Sequence, residues 1–276
     1  MKKKVIEIID ASFAYGEHLI WQKINVSVVK GELLCLLGAN GCGKTTLLNC
    51  IHGDQRLQKG KVLINGKPIE KMQISSIAKT IGVVFQEHTT AFPYSVLDVV
   101  LMGRGPHLGM FGSPSARDRK IALKSLGTMG IRELKNKRYT EISGGQRQLV
   151  LIARTLTQEP EIILLDEPSS FLDFKNQALV LEMIKKLTNQ GITIIMTSHF
   201  PNHALICADR VALMSKGTIL GIGTTQEIMT ETNLEKTYDI GVRILSAKDK
   251  INGEIINFCM PCLKEKCICN KAEEFA

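Results

Sequence analysis

The chain has 276 residues, of which 44% are hydrophobic and 22% charged, a composition typical of a globular protein that buries a substantial core. Its apolar runs fall well short of the ~18–20 residues that a membrane-spanning helix needs, so we expect the chain to stay on the cytoplasmic side of the membrane. The net charge is +8, but the basic residues are scattered among acids. This distribution argues against nucleic-acid binding and fits a protein that works beside anionic lipid.

The first 86 residues are predicted to be rich in β-strand. A basic start is followed at 5–10 by apolar residues mixed with acids, which indicates a first strand and not a secretion signal. The pair Asn65-Gly66 predicts a hairpin turn, with strands near 61–64 and 81–85.

The segment 38–45, with the sequence GANGCGKT, has the spacing of a phosphate-binding loop between a buried strand and a helix. Its glycines let the backbone amides point at phosphate oxygens, and the helix start adds the positive end of its dipole. Lys44 is predicted to reach the β- and γ-phosphates of a nucleoside triphosphate, and the Thr45 hydroxyl to bind Mg²⁺. The candidate nucleotide ligands here are Gly38, Asn40, Gly41, Cys42, Gly43, Lys44, Thr45 and Thr46.

Residues 87–160 change character and predict a helical insert. A loop rich in glycine and proline precedes a helix near 116–129, and a further helix is predicted after Ser143. Ser143 is a typical N-cap, while Gly144 and Gly145 expose backbone amides that could bind a second anion. The simple alternative is a capped helix. Because one nucleotide does not need two such loops from one chain, we expect two copies to face each other head to tail, each completing the other's site.

The region 161–220 returns to alternating strands and helices. Buried strands are predicted at 162–165 and 192–196, with an amphipathic helix at 174–189 between them. Such continuous apolar strands favour a parallel sheet covered on both faces, so the fold class is α/β. Asp166 and Glu167 follow the first of these strands, where ligands bind in such sheets. Asp166 would orient Mg²⁺ and Glu167 would polarise the attacking water, although such an acid pair can also simply cap a helix.

Taken together, these motifs resemble the nucleotide-binding subunit of an ATP-binding cassette (ABC) transporter. The resemblance covers about residues 1–245 and implies a P-loop NTPase (RecA-like) core with an N-terminal antiparallel β-subdomain and an inserted α-helical subdomain. The core would comprise 1–86 and 161–240 and the helical subdomain about 87–160, followed by a cysteine-containing tail at 246–276.

The resemblance also implies roles for single residues. Tyr15 would stack on adenine, with Phe13 as its competitor, and Gln86 would sense Mg²⁺ and contact the membrane partner. His199 would touch the γ-phosphate. The implied catalytic set is Glu167, His199, Lys44 and Gln86, and the implied Mg²⁺ set is Thr45, Gln86 and Asp166. The segment 169–173 matches the dimer contact, and the family signature corresponds to Ser143, Gly145 and Gln146, with Ile142 in place of the usual leucine.

Three further segments, 96–104, 106–109 and 115–118, resemble importers of iron–siderophore, haem, cobalamin and other metal chelates. We therefore expect an ATP-hydrolysing homodimer at the cytoplasmic face, working with separate permease subunits and, indirectly, an extracytoplasmic substrate-binding protein. The segment 199–204 also resembles the molybdate and tungstate branch, which stays an alternative. Another is an ABC ATPase without a permease, of the iron–sulfur assembly type or a translation factor. A purely regulatory nucleotide-binding module is disfavoured because Glu167 and His199 are both present.

Four cysteines lie close together in the tail, where the resemblance gives no guidance. C-x₂-C spacing is a common zinc half-site, iron–sulfur ligation is a second interpretation, and a tail with reduced or redox-active thiols is the third. These candidate metal ligands are Cys259, Cys262, Cys267 and Cys269. The other four cysteines are dispersed, as is typical of reduced thiols in a cytosolic fold.

Overall fold

The computed structural model describes residues 3–85, 93–109, 112–248, 250, 253 and 255–262. The strands are β1 Lys4–Tyr15, β2 His18–Val29, β3 Leu33–Leu37, β4 Lys59–Ile64, β5 Lys67–Pro68, β6 Ile81–Val84, β7 Ile162–Leu165, β8 Thr193–Ser198, β9 Arg210–Ser215, β10 Thr218–Thr224, β11 Val242–Lys248 and β12 Ile255–Pro261. The α-helices are α1 Lys44–His52, α2 Ile74–Thr80, α3 Val96–Leu101, α4 Ala116–Thr128, α5 Gly144–Thr157, α6 Phe174–Asn189, α7 Pro201–Cys207, α8 Thr225–Ile228 and α9 Glu231–Tyr238. Short 3₁₀ helices lie at Ile69–Lys71, Met102–His107, Arg132–Asn136 and Tyr139–Glu141.

The N-terminal strands form an antiparallel sheet of order β2-β1-β4-β5. Its short hairpin between β4 and β5 turns at Asn65 and Gly66, which have φ angles of 51° and 79°. Two positive φ angles are the requirement of a type I′ turn, for which Asn-Gly is the preferred pair. The predicted hairpin is therefore confirmed.

The second sheet has the order β10-β9-β3-β8-β7-β6 and is parallel from β9 to β6. Every residue of β3, β7 and β8 is buried, as expected for continuous apolar strands covered on both faces. Since β3, β8 and β7 are neighbours and run in the same direction, their carboxyl ends meet at one edge. This edge brings together three segments that lie far apart in the sequence. The α/β class and the P-loop type of core are confirmed.

The helices α3, α4 and α5 pack together beside this sheet. Arg104, which is only 6% exposed, lies among them. Its guanidinium donates to Asp118 Oδ1 and to Glu159 Oε2, each at 2.8 Å, and to the carbonyl of Thr157 at 2.9 Å. One buried cation thus ties the Met102–His107 turn to the start of α4 and the end of α5.

The final two strands form a separate antiparallel hairpin, in which Val242 lies opposite Pro261. Strand β12 packs against α7. The side chain of Asn202 joins the two: its Oδ1 accepts from the amide of Cys259 at 2.7 Å, and its Nδ2 donates to the carbonyl of the same residue at 3.3 Å. The hairpin is thereby fastened to the first turn of α7.

Most predicted elements are confirmed, with shifts at several strand ends. The strand at 162–165 and the helix at 174–189 have the predicted bounds, and α4 ends one residue before the predicted end. The strand expected at 192–196 begins at Thr193 and continues to Ser198, because pairing with β3 on one side carries it further. Strand β1 extends to Tyr15 because β2 pairs along nearly all of it. Within the described ranges, no helix combines the length and apolar character needed to cross a membrane.

Candidate active site

The loop before α1 takes a conformation that only glycine accommodates. Gly41 and Gly43 have φ angles of 78° and 95°. A Cβ on Gly43 would lie 2.6 Å from Cδ1 of Trp21 and 2.7 Å from Cγ2 of Ile20, so strand β2 presses directly on the loop. Gly43 is also the N-cap of α1 and offers no side-chain cap. The first amides of the helix are therefore available to an anion.

Lys44 is held at the base of this loop with only 5% of its surface exposed. Its ammonium donates to the carbonyls of Gly38 at 2.9 Å and Ala39 at 3.1 Å. It also lies 3.7 Å from Oε1 of Glu167. A buried ammonium with backbone and carboxylate partners can exchange them for phosphate oxygens without a large movement.

Two neighbouring strands supply oxygen ligands beside the loop. The Thr45 hydroxyl donates to Oδ1 of Asp166 at 3.1 Å, and the Thr197 hydroxyl donates to the same oxygen at 2.7 Å. Asp166 is only 3% exposed. A hydroxyl and a carboxylate at this separation are the hard oxygen donors that Mg²⁺ prefers when it is bound together with phosphates. Thr45 and Asp166 therefore fit a Mg²⁺ ion.

Glu167 follows Asp166 and occupies a left-handed backbone conformation with φ 46°. Its amide donates to the Thr197 hydroxyl at 2.8 Å. Its Oε2 accepts from Ser170 at 2.8 Å and from Nδ1 of His199 at 3.0 Å. Burial raises the pKa of this carboxyl, but hydrogen bonds from Ser170 and His199 and the nearby charge of Lys44 outweigh it, so the pKa lies below its ordinary value. Glu167 is ionised at neutral pH.

These groups surround an open cleft of about 720 Å³. Phe200 forms part of its wall, and its ring centroid lies 3.9 Å from that of His199. The residues that line the cleft are Ile20, Asn40, Gly41, Gly43, Lys44, Thr45, Thr46, Glu167, Ser170, Phe171, Leu172, Gln177, His199 and Phe200. The loop at 38–45, the acid pair and His199 thus converge on one site, as the carboxyl-edge geometry requires.

Gly38 and Cys42 belong to the loop but do not line the cleft. A Cβ on Gly38 would lie 2.4 Å from the carbonyl oxygen of Met214 and 2.8 Å from Sγ of Cys42, so the strand end needs glycine for close packing. Burial raises the pKa of the Cys42 thiol, and the nearby Lys44 only partly offsets this. Its reactive thiolate is therefore scarce at neutral pH.

The aromatic pair near the end of β1 divides into a buried and an exposed member. Phe13 is 3% exposed and packs on Trp21, with ring centroids 5.7 Å apart. Tyr15 is 49% exposed and makes an edge contact with Phe13 at 4.8 Å. Tyr15 is therefore the member of the pair that a ligand can reach, but it is not among the described residues that line the cleft. Gln86, which is expected to sense Mg²⁺ and to contact the membrane partner, lies outside the described residues.

The segment at the start of α5 does not line this cleft, although a Cβ on Gly144 would lie 3.7 Å from Cδ2 of Leu172, which does. Ser143 accepts from the amide of Gln146 at 3.3 Å, and Oε1 of Gln146 accepts from the amide of Ser143 at 3.1 Å, which forms a capping box. A Cβ on Gly145 would lie 2.3 Å from Oδ1 of Asn176, so glycine is needed where α5 meets α6. Among the described residues that line the cleft, none comes from this segment. Within one chain it is a capped helix start with exposed amides.

Two residues that organise the acids were not singled out from the sequence. Thr197 bridges Asp166 and the amide of Glu167, and Ser170 fixes the Glu167 carboxylate. Both lie in segments that carried the resemblance. Ser170 bonds to Glu167 three residues earlier in the same loop, whereas the partners of Thr197 depend on the pairing of β7 with β8. That strand order is a tertiary feature, so the sequence offered no direct signal for Thr197.

The tail cysteines are only partly within the described chain. Cys267 and Cys269 lie outside the described residues. Cys259 packs against the main hydrophobic core, and burial raises its pKa to about 11, so the free thiol is protonated at neutral pH. Across the described part of the chain, no group of three or more His, Cys, Asp or Glu side chains is placed to hold a metal.

Known proteins are similar to this chain in sequence and in structure. The chain matches the family model for ABC transporters over residues 21–170. It is 36% identical over 239 residues to the molybdate import ATP-binding protein MolC of Haemophilus influenzae, covering 86% of this chain and 89% of that protein. It is likewise 36% identical over 233 residues to the iron(3+)-hydroxamate import ATP-binding protein FhuC of Bacillus subtilis, covering 84% and 87%. A solved metal-chelate type ABC transporter in an inward-facing conformation aligns with a TM-score of 0.85 at 34% identity, covering 95% of this chain and 99% of that one.

Proposed function

The chain belongs to the ABC transporter family, in which it is an ATP-hydrolysing subunit, and from that premise we propose that it powers uptake of a metal chelate of the iron–siderophore, haem or cobalamin class. The observation that carries the proposal is the convergence of three side chains on one cleft. Nζ of Lys44 lies 3.7 Å, and Nδ1 of His199 lies 3.0 Å, from the carboxylate of Glu167. The likeness to import proteins supplies the direction of transport.

We assign the chemistry to side chains at the carboxyl edge of the sheet. The loop amides and Lys44 would bind the β- and γ-phosphates, and Tyr15 would stack on the base. Thr45 and Asp166 would hold Mg²⁺, together with Gln86, and the bound ion supplies charge neutralisation on the phosphates. Because its pKa lies below the ordinary value, Glu167 is ionised at neutral pH and can accept a proton from the attacking water. His199 orients the Glu167 carboxylate through its Nδ1–H and would contact the γ-phosphate.

The exposed amides at the start of α5 support a head-to-tail dimer. Ser143 and Gly144 are exposed, and they stand outside the cleft of their own chain. In a second copy they would complete the phosphate site, with Ser143, Gly145 and Gln146 facing the nucleotide that the first copy holds. ATP binding would then close the dimer, and hydrolysis would reopen it.

Transport requires partners that cross the membrane. We propose integral-membrane permease subunits, contacted through Gln86 and the region to 105, and an extracytoplasmic substrate-binding protein that delivers the ligand. The chain would act at the cytoplasmic face of the membrane. Purification from native membranes, with mass spectrometry of the proteins that copurify, tests this arrangement. Recovery of a permease supports it, whereas recovery of the chain with assembly or translation factors alone supports the ABC ATPase without a permease.

The transported ligand is tested with the recovered complex. A molybdate or tungstate importer is the second candidate, which the likeness to MolC and the segment 199–204 favour. Ferric hydroxamate, haem, cobalamin, molybdate and tungstate should each be added with the binding protein while phosphate release is measured. Stimulation by a chelate supports the first candidate, and stimulation by an oxyanion supports the second.

The Glu167→Gln variant tests the catalytic assignment. The amide keeps the size of the side chain but cannot accept the proton, so hydrolysis should fall by about 10²–10⁴-fold. ATP affinity, measured with a fluorescent analogue, should survive, and the variant should accumulate as an ATP-bound dimer. Hydrolysis at a near wild-type rate would show that Glu167 is not the base.

The four tail thiols carry a separate candidate, a Zn²⁺ or Fe–S site, which rests on cysteine spacing. Elemental analysis should compare the full chain with a variant that ends at Cys262, a position that keeps the Asn202–Cys259 contact intact. Zinc or iron near one equivalent that disappears on truncation supports a metal site. Equal metal content in both proteins leaves the thiols as ordinary tail residues.

A further inference from the structure

A buried histidine on α7 lies between the two loops that carry Glu167 and His199. Nδ1 of His203 is 3.2 Å from the Ser169 hydroxyl and 3.1 Å from the Ser198 hydroxyl. Ser169 comes two residues after Glu167, and Ser198 immediately precedes His199. We propose that His203 is a positioning residue for ATP hydrolysis, which holds these two loops at the separation that the Glu167–His199 contact requires.

The backbone of the acidic loop needs such support. Glu167 has φ 46°, a left-handed conformation that is unfavourable for a residue with a side chain and persists only when its surroundings hold it. The Ser169–His203 contact fixes the chain two residues beyond this point. Together with the bond from the Glu167 amide to Thr197, it holds the loop from both sides.

The histidine loop is fixed by the same ring through a short chain of contacts. Ser198 accepts from the amide of Phe200 at 3.0 Å, and the ring of Phe200 lies 3.9 Å from His199 and 5.1 Å from His203. The amide of His203 in turn donates to the carbonyl of Phe200 at 3.1 Å. Movement of His203 would therefore shift the ring that donates to Glu167.

The environment keeps the ring in the form that can accept from two hydroxyls. His203 is 7% exposed, so water does not compete for its nitrogen. Burial lowers its pKa to about 4, with the nearby His199 adding to this and Glu167 opposing it. The neutral ring with an unprotonated Nδ1 has one lone pair, which the Ser169 and Ser198 hydroxyls share, and Ser198 can also donate to the carbonyl of Phe200 at 3.3 Å. Removing this acceptor would take a hydrogen-bond partner from two buried hydroxyls, those of Ser169 and Ser198, which is costly.

The test uses two substitutions of similar size, and it rests on the ATPase activity proposed above. His203→Leu fills the space but removes the acceptor, whereas the Oδ1 of His203→Asn can stand where Nδ1 stands. We expect His203→Leu to lower kcat by about 10–100-fold, since small displacements of reacting groups cost that much, with KM for ATP within about twofold. His203→Asn should recover most of kcat.

The control is Cys207→Ala, another buried change on α7, whose thiol contacts only the carbonyl of His203 among the bonds described. It should lower Tm by a similar amount while leaving kcat within about twofold of wild type. A loss of kcat that follows Tm in all three variants, or an Asn variant no better than the Leu variant, would overturn the proposal. Activity in Glu167→Gln, measured alongside, would instead overturn the catalytic assignment.

A double-mutant comparison adds a second readout. Ser169→Ala should lower kcat on its own, and adding it to His203→Leu should cost little more, because both remove the same contact. Full additivity of the two losses in kcat would show that His203 and Ser169 act separately and would contradict the positioning role.

Discussion

At the scale of single residues, the environment of each ionisable group matters more than its type. Glu167 and His203 lie close together, and both have a lowered pKa, but the causes differ. Hydrogen bonds to the ionised form outweigh burial for the carboxyl, whereas burial itself acts on the imidazole. The result at neutral pH is an ionised carboxylate near a neutral ring, which fits the base that we propose for Glu167 and hydrogen-bond acceptance by His203.

The lowered pKa of His203 predicts a pH-dependent loss of stability. Above pH 6.5 the ring is neutral in both the folded and the unfolded chain, so its full contribution is present. Between pH 6.5 and about 4 the unfolded chain binds a proton that the folded chain does not, and stability falls as the pH falls. The total effect is about 3 kcal/mol for a shift of this size.

Chemical denaturation between pH 7 and pH 4 measures this effect, with His203→Asn as the comparison. The wild-type free energy of unfolding should fall more steeply than that of the variant. Parallel curves for the two proteins would show that His203 does not titrate differently in the folded chain.

At the scale of elements, a buried ion pair joins two segments that lie apart in the sequence. Arg104 lies in the 96–104 segment and Asp118 in the 115–118 segment, and the two side chains meet at 2.8 Å. Ser115 caps α4 and donates to the same carboxylate. Hydrogen bonds from Ser115 and Arg104 lower the pKa of Asp118 to about 2. These residues therefore hold the helical insert together.

The Arg104→Ala variant should destabilise the helical insert strongly. It leaves Asp118 without its cation and the Thr157 carbonyl without its donor, both in a buried position. Removing one partner of a buried pair costs about 3 kcal/mol or more. Thermal unfolding should show a clearly lower Tm, whereas Arg138→Ala, which breaks an exposed pair with Glu141, should change Tm little. Equal effects of the two variants would mean that the Arg104 cluster is not a structural tie.

At the scale of the whole molecule, the separation of the α5 start from the cleft predicts shared sites in a dimer. A covalently linked dimer with Lys44→Ala and Ser143→Ala in the same half should lose both sites, because each change disables a different one. The same two changes placed in opposite halves fall on one site and should leave the other intact. Phosphate release by the two linked proteins measures the difference.

If the two sites act independently, equal loss of activity in both linked proteins would contradict the head-to-tail arrangement. If the sites are strictly cooperative, hydrolysis is lost in both proteins, and the number of nucleotides bound distinguishes them instead. The linked dimer with the changes in opposite halves should still bind about one nucleotide. The linked dimer with both changes in one half should bind nucleotide weakly at both sites.

The sequence by itself determined the elements and the chemistry of the phosphate loop. The apolar runs predicted β3 and β7, the glycine pattern predicted the loop at Gly41 and Gly43, and Asn65-Gly66 predicted its turn. These features depend on neighbours in the chain: a backbone conformation that needs glycine, or a strand whose side chains are all apolar. Local rules therefore sufficed for them.

Only the tertiary structure decided which polar groups meet. The order β3-β8-β7 places Thr197 against Asp166, and the packing of α7 places His203 between Ser169 and Ser198. The same packing separated Phe13 from Tyr15 as core and surface rings, and fastened Cys259 to Asn202. Each of these contacts joins residues brought together by strand order or helix packing. The spacing of residues along the chain does not predict that order. The hydrophobic pattern indicates which face of a strand is buried, but not which other strand pairs with it.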